Sequence, residues 1–380
     1  MCGICGIVHL DGESPVDKRY VYRMAERQRH RGPDDEGYYS APAIGLGFGR
    51  LAILDITSAG HQPMASEDGR TWLTFNGEIY NFQELVPELE QAGYHFRSRS
   101  DSEVLLHAYE HWGKDCLARL NGMFAFAIWD SRRRTVFIAR DRLGVKPLYY
   151  WSDGTHCAWS SELKALLELP WLERRLDMQA LRTYLLCEYV PAPYSIFEGV
   201  QKLPAGHYLE LHLDGSDRGR STSDWQPRQY WNVRFQTTPA QDRRSIDDYA
   251  YELRELLKAA VARRLVSDVP LGVFLSGGID SSSVVALMRE VSPERPKTFS
   301  IGFSEKSFSE LHYAQIVARY FDTDHHVEIL RPDANELVRT VADYLDEPFA
   351  DASALPTYLV SRSARRHVTV ALGGDASDEL

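Results

Sequence analysis

Two stretches of the chain hold residue types that can make and break bonds. The first is the amino terminus, Met1-Cys2-Gly3-Ile4-Cys5-Gly6-Ile7. Cysteine is small, so removal of Met1 would leave Cys2 first, with a thiol and a free α-amine on one residue. The amine titrates near pH ~8 and the thiol near ~8.5, so the amine can serve as a local base at neutral pH. Two plainer readings stand beside this one. Cys2 and Cys5 form a C-x-x-C that could hold a metal or cycle redox state, although no second such pair and no nearby histidine pair accompanies it. Cys2 could also be an ordinary buried thiol in a first strand. The second stretch is Val273-Phe274-Leu275-Ser276-Gly277-Gly278-Ile279-Asp280-Ser281-Ser282, which runs from an apolar strand into a helix. Its glycines let backbone N–H groups approach phosphate oxygens, its serines add hydroxyl donors, and the helix start adds partial positive charge. It lacks the Gly-Lys-Ser/Thr ending of a Walker A loop, and Phe274 rules out a G-x-S-x-G elbow. The plain alternative is a glycine turn between strand and helix.

Two further patterns are weaker. Gly45-x-Gly47-x-Gly49 echoes a dinucleotide loop, but Arg50 stands where that loop has its third glycine. His107-Ala108-Tyr109-Glu110-His111 fits the zinc pattern H-x-x-E-H without an obvious third ligand, and a half-exposed helix stripe explains it.

The elements that must position these residues fall into two styles. At 380 residues the chain is long enough for two or three domains of roughly 150 residues each. The first half reads as short β-rich runs: Gly3 to Leu10, Ile44 to Leu54, Trp72 to Phe75, Met123 to Asp130, Thr135 to Arg140, Leu148 to Ser152 and His156 to Ser160. Two helices interrupt them, one from Phe82 to Ala92 stopped by Gly93, one opening at Ser100 with Glu103 completing a capping box. The spacing predicts an α+β domain of layered antiparallel sheets over residues 1–212. Leu213 to Arg228 is polar and reads as a linker or long surface loop, within a connecting segment of residues 213–244. From residue 245 to 380 the pattern changes to a long helix, Ile246 to Leu265, then strands Leu271 to Leu275, Thr298 to Phe303, His325 to Leu330 and Val368 to Leu372 with helices between. That alternation predicts an α/β domain with a doubly wound parallel sheet.

Composition narrows the function classes. Apolar residues are 44% and aromatics 11%, which argues against disorder. Acidic residues outnumber basic ones 54 to 43, and a net charge of -11 argues against a general nucleic-acid binder. The arginines at 23, 27, 29 and 31 are a local cluster. No apolar run approaches the roughly 18 residues that span a bilayer, and the start is not built like a secretory signal. Five scattered cysteines predict a reduced, cytoplasmic location.

The first half resembles the class II, N-terminal-nucleophile glutamine amidotransferases. The resemblance rests on Met1-Cys2-Gly3-Ile4, Arg29-His30-Arg31-Gly32-Pro33-Asp34, Gly49-Arg50-Leu51-Ala52-Ile53, Phe75-Asn76-Gly77-Glu78-Ile79-Tyr80-Asn81 and Ser100-Asp101-Ser102-Glu103, in order over about 200 residues. It implies an Ntn-hydrolase fold in which Cys2 attacks glutamine. Asn76 and Gly77 would stabilise the oxyanion with a side-chain amide and a backbone N–H. Arg50, Leu51, Ile53, Asn76, Gly77, Glu78 and Asp101 would bind glutamine, with Arg50 on the carboxylate and Asp101 on the ammonium. Read singly, Asn76-Gly77 is also a common hairpin turn and Arg50 a surface ion pair.

The second half resembles the pyrophosphate-loop enzymes that adenylate a substrate. The matching segments are Ser276-Gly277-Gly278-Ile279-Asp280-Ser281, Phe299-Ser300-Ile301-Gly302-Phe303, Glu347-Pro348-Phe349-Ala350-Asp351-Ala352-Ser353 and Leu372-Gly373-Gly374-Asp375-Ala376-Ser377-Asp378-Glu379-Leu380. Together the halves resemble the glutamine-hydrolysing asparagine synthetase family. That resemblance implies an ATP-dependent ligase making asparagine, AMP and pyrophosphate from aspartate, with ammonia passed internally between sites. Leu275, Ser276, Gly277, Gly278, Asp280, Ser281, Ser282, Ile301, Gly373 and Gly374 would bind ATP. Asp280 and Asp378 would hold Mg²⁺, and Asp375 would be the acid of the synthetase site. A homodimer is compatible with the family. The alternatives are an amidotransferase for another carboxylate, or a glutaminase-only or regulatory relative. Gly373 replaces the family's usual Ser, and Ala376-Ser377 its frequent Gly-Gly. The sequence stops at Leu380, where family members continue into a helical segment with a catalytic lysine, so a longer parent chain is expected.

Overall fold

In a computed structural model, residues 1–234, 244–303, 310–330 and 334–374 are described. The chain divides into two units. One is Met1–Arg234 with Leu345–Ala350, the other Phe235–Tyr344 with Asp351–Leu380.

Unit 1 stacks two six-stranded antiparallel sheets between helices. Its strands are β1 (Gly3–His9), β2 (Asp35–Ala41), β3 (Ile44–Arg50), β4 (Met64–Ala65), β5 (Thr71–Ile79), β6 (Gly122–Asp130), β7 (Thr135–Arg140), β8 (Tyr149–Ser152), β9 (His156–Ser160), β10 (Val200–Lys202), β11 (His207–His212) and β12 (Arg228–Gln229). One sheet has the order β10-β8-β9-β1-β3-β2, the other β12-β11-β7-β6-β5-β4. The helices are α1 (Lys18–Arg27), α2 (Phe82–Gln91), α3 (Asp101–Trp112), the single turns α4 (Cys116–Arg119) and α5 (Leu163–Leu166), and α6 (Met178–Cys187).

The strands read as continuous apolar runs because both faces are covered. Along β6, Ala125, Ala127 and Trp129 pack between the sheets, while Phe124, Phe126 and Ile128 face the core under α2 and α3. Along β1, Ile4 and Val8 point between the sheets, and Cys5 and Ile7 point under α1 and α5. The glycines of β3 are a packing device. An added Cβ at Gly47 would lie 2.8 Å from Cys5 Sγ, and one at Gly45 would lie 2.6 Å from Val21 of α1. They let the helix lie flat on the sheet.

Three expectations change. Residues 213–229 are no linker: Leu213 and Trp225 are buried in the core between the sheets, and β12 pairs with β11. Isolated apolar residues in a polar stretch carry the docking, which periodicity does not register. The capping box at Ser100 does not form. Ser100 accepts from Ser102 N, whereas the Glu103 carboxylate turns back to Arg97 N and Ser98 N. Asn76-Gly77 is no turn, since both lie within β5 opposite Ala125 and Phe124.

Unit 2 carries a four-stranded parallel sheet. Its described elements are α7 (Ile246–Arg264), β13 (Leu271–Phe274), α8 (Ile279–Val291), β14 (Lys297–Phe303), α9 (Leu311–Tyr320), β15 (Asp324–Leu330), α10 (Ala334–Tyr344), α11 (Ala354–Ala364) and β16 (Val370–Leu372), with strand order β15-β14-β13-β16. Ser245 and Asp248 form the capping box that starts α7. No helix among the described residues is long and apolar enough to cross a membrane.

A close approach between the backbone of β1 and a buried ring tests the sandwich. An added Cβ at Gly6 would lie 2.1 Å from the fully buried Trp159 ring. Gly6→Ala should destabilise unit 1 by ~2 kcal/mol or more, seen as a lowered denaturation midpoint of its near-UV signal.

Candidate active sites

Cys2 is half-buried at the start of β1, the strand flanked by β3 and β9. Its Sγ accepts from Leu51 N at 3.5 Å and lies 3.7 Å from Leu51 O. Its carbonyl accepts from Arg31 Nε at 3.0 Å. Arg31 Nη1 is 3.0 Å from Glu162 Oε1, and His30 Nε2 lies 2.9 Å from the same oxygen. The first residue is therefore held on both sides, by the loop after β3 and by a buried guanidinium.

β5 supplies the facing groups. Thr74, Asn76 and Glu78 alternate with Phe75 and Ile79. Phe75 and Ile79 belong to the helix-covered core, so Asn76 and Glu78 point between the sheets, into the layer against which Cys2 packs. The Asn76 side chain is fully buried, and neither its Nδ2 nor its Oδ1 has a hydrogen-bond partner. Such an amide costs on the order of 1–3 kcal/mol, and an unpaired buried amide in a polar niche marks a ligand position.

The ladder pattern then exposes the next backbone group. Phe124, opposite Gly77, gives its N–H and C=O to Asp141 instead of β5. Alternation in an antiparallel ladder turns the Gly77 N–H outward, to the edge where Phe75 N meets Gln62 and Ile79 N meets Asp101. Only glycine fits, because an added Cβ would lie 2.3 Å from Met123 O.

Asp101 begins α3 and is buried, with Oδ2 accepting from Ile79 N at 2.8 Å. Burial raises its carboxyl to about 6, against the lowering effect of the backbone hydrogen bonds from Ile79, Ser102 and its own N–H. Burial and then the Asp101 charge raise Glu78 well above the usual range, while Lys146 opposes this. Burial also raises the Cys2 thiol; the Leu51 hydrogen bond, the chain's amino group and Lys146 lower it, and Glu78 raises it. A thiol so placed is protonated at neutral pH and needs a base.

Two positions depart from the sequence expectation. Arg50 is buried and its fork is engaged: Nη1 donates to Thr57 O at 2.8 Å, and Nη2 donates to Leu54 O and Asp55 O. It shapes the loop that holds Leu51 and the half-buried Ile53. Lys146 was missed. It is 5% exposed and electrostatically coupled to Glu78, Arg31 and Cys2. A lone lysine in a loop carries no pattern that could have flagged it. His107 of the zinc-like pattern is buried between Glu103 and Glu110, at 3.8 and 3.0 Å. Those two carboxylates hold its pKa up at about 9 although burial lowers it.

In unit 2 the chain runs from β13 through β14 to β15 on one side, and β16 returns on the other. The loop after β13 therefore lies at the strand-order switch, where open α/β sheets bind ligands. Gly277 has φ +91°, and an added Cβ would lie 2.5 Å from Ala314 N. Gly278 caps α8 without a side-chain hydrogen bond, so the helix start faces outward open. Ser276 Oγ and Ser281 Oγ are 3.0 Å apart, and Ser282 Oγ is buried without a partner. Gly374, after β16, closes on the same turn: its Cβ would lie 2.7 Å from Ser281 N. Leu275 follows β13 directly, Ile301 lies within β14, Gly373 precedes Gly374, and Asp280 is half-buried in the first turn of α8. Asp375 and Asp378 lie outside the described residues.

Comparison with known proteins agrees with both halves. Residues 1–231 match the glutamine amidotransferase domain family, and residues 252–380 match the asparagine synthase family. The chain is 40% identical over 402 residues to a putative glutamine-hydrolysing asparagine synthetase of Methanocaldococcus jannaschii, covering all of this chain and 75% of that protein. It is 37% identical over 384 residues to asparagine synthetase 1 of Bacillus subtilis, covering all of this chain and 58% of that protein. A solved glutamine phosphoribosylpyrophosphate amidotransferase from B. subtilis aligns at TM-score 0.44 and 15% identity, over 89% of this chain and 70% of that one, too loosely to argue from. The first unit is thus of the amidotransferase class. The chain belongs to the glutamine-hydrolysing asparagine synthetase family. It spans little more than half the length of the B. subtilis relative.

The raised carboxyl gives a direct check. In a ¹³C NMR titration Asp101 should take its proton near pH 6, well above the ordinary ~3.9. A midpoint near the ordinary value would remove the buried acid pair.

Proposed function

We propose that unit 1 hydrolyses glutamine to glutamate and ammonia, and that the ammonia is used by unit 2 to amidate an ATP-activated aspartate. The observation that carries the first half is the buried, unpartnered Asn76 amide beside the outward Gly77 N–H, in the layer where Cys2 packs. Met1 is 52% exposed and open to removal. Its loss gives Cys2 a free amine that accepts the thiol proton. Sγ then attacks the side-chain carbonyl, and Asn76 Nδ2 with Gly77 N–H hold the oxyanion. The C–N bond breaks, ammonia leaves with a proton from the amine, and water hydrolyses the thioester. Asp101 and Glu78 receive the substrate ammonium, whose charge favours their ionised forms. Arg50 would meet the α-carboxylate by exchanging carbonyl partners in the 54–57 loop.

In unit 2 the phosphates of ATP fit the open start of α8, the Ser276 and Ser281 hydroxyls and the orphaned Ser282 hydroxyl. Adenylation turns the poorly electrophilic carboxylate into one with a good leaving group. Asp280 stands in the first turn of α8, where it could share Mg²⁺ with Asp378, and the ion would neutralise departing pyrophosphate. Asp375 would be the acid of that site. Five unpaired cysteines fit a cytoplasmic location.

Cys2→Ala should abolish glutamine hydrolysis, measured as glutamate release, while ATP–pyrophosphate exchange persists; retained hydrolysis would sink the thiol's role. Intact mass should show Met1 absent. The kcat/KM for glutamine should fall as pH drops through about 6, because Asp101 is then neutral and no longer attracts the ammonium. Gly374→Ala should weaken nucleotide binding at least tenfold by calorimetry, because its Cβ would press on Ser281 N.

A further inference from the structure

Six residues of unit 1 come from far along the chain. Leu345–Ala350 lie between α10 and α11, yet they pack with residues 1–234. Their carboxylates are the reason. Asp346 accepts from Leu163 N at 2.9 Å and Lys164 N at 3.2 Å, and its Oδ1 is 3.7 Å from Lys164 Nζ. Glu347 accepts from Ile196 N at 2.8 Å and Tyr149 OH at 3.3 Å and pairs with Lys202. Ala350 N donates to Glu188 O at 2.9 Å.

The Asp346 contact does not stop at Lys164. Lys164 Nζ is 3.5 Å from Glu162 Oε2, Glu162 Oε1 is 3.0 Å from Arg31 Nη1, and Arg31 Nε donates to the Cys2 carbonyl at 3.0 Å. Charges alternate along this series: minus at Asp346, plus at Lys164, minus at Glu162, plus at Arg31. The four side chains are only 7–12% exposed, so water screens them weakly. The two inner ions, Lys164 and Glu162, each stand between two of opposite sign. Removing the terminal minus charge strengthens the pull of Lys164 on Glu162, which draws that carboxylate away from Arg31 and slackens the hold on Cys2.

We propose that Asp346 is a positioning residue for the Cys2 nucleophile, acting through Lys164, Glu162 and Arg31. The chain on both sides of the segment belongs to unit 2, since α10 ends at Tyr344 and α11 begins at Ala354. The route from those helices to the nucleophile's carbonyl is covalent as far as Asp346 and electrostatic beyond it. The proposal rests on Cys2 being the nucleophile of unit 1.

The test uses the whole chain with Asp346→Asn, Lys164→Met, both together, and Lys164→Arg. Glutamine turnover is measured beside the rate at which iodoacetamide labels Cys2, read from the amino-terminal peptide. D346N should lower kcat about tenfold with KM changed less than about twofold. It should also speed Cys2 labelling, because a released terminus leaves the burial that raises the thiol's pKa. Labelling of the buried Cys5, Cys116 and Cys157 should stay unchanged, since the effect is local. K164M should be worse than D346N, because Glu162 and Asp346 then face each other without the cation. The double variant should regain activity over K164M, and K164R should stay near the parent. A kcat and Cys2 labelling rate within about twofold of the parent in D346N, or additive losses in the double variant, would overturn the proposal. Faster labelling of all buried cysteines would likewise reduce the segment to a structural brace. If the parent hydrolyses no glutamine, the reading of unit 1 fails, and the labelling pattern alone still decides the relay.

Discussion

Unit 1 depends on a chain terminus that is not free. Termini usually fray because their backbone groups have water as an alternative partner. Here β1 pairs with β3 from Gly3 and with β9 from Cys5, so the strand is held from two sides close to its start. The Cys2 carbonyl is then taken by Arg31 and its sulfur by Leu51 N. The fold thereby holds the Cys2 thiol at a defined point beside the layer between two sheets. It also imposes the chemistry's difficulty, since the burial that fixes the thiol raises its pKa.

That difficulty explains the density of charge nearby. The Leu51 hydrogen bond, the amino group and Lys146 favour the thiolate, while Glu78, itself raised by Asp101, opposes it. Two buried acids side by side are costly, and the cost falls when a cation binds between them. The same logic holds for Asn76, whose buried amide has no hydrogen-bond partner and would gain one from the proposed oxyanion. An apolar side chain there would make the empty protein more stable and leave a developing charge unsupported. Unit 2 shows the corresponding compromise in its unpartnered Ser282 and the uncapped start of α8.

Much of this was legible because it is local in sequence. Short apolar, β-rich runs between turn residues marked the strands, and the glycine loop followed its strand directly. What was not legible depends on partners far apart. Glu103 sits where a capping box would use it, but Arg97 N and Ser98 N compete for the carboxylate and win. Arg50 reads as a free fork at a strand end, yet three carbonyls within seven residues fill it. Leu213 and Trp225 are single apolar residues in a polar stretch, and only the finished core shows what they dock against.

The acidic pair at 346–347 is the sharpest case. In sequence it belongs to a motif of the second half, next to a helix of the parallel sheet unit. In space both carboxylates are spent on unit 1, on backbone N–H groups that a strand ladder does not use and on the largely buried Lys164 and Lys202. A buried lysine without a counter-charge is among the costliest groups in a protein. Lys164 therefore needs two carboxylates if Glu162 is to remain available to Arg31. One comes from its own loop, and the other arrives 182 residues later. Cutting this ion ladder at its outer rung changes the balance at every ion inward of it, because Glu162 is shared between Lys164 and Arg31. The segment that completes it is therefore part of the first active site, although its sequence surroundings belong to the second.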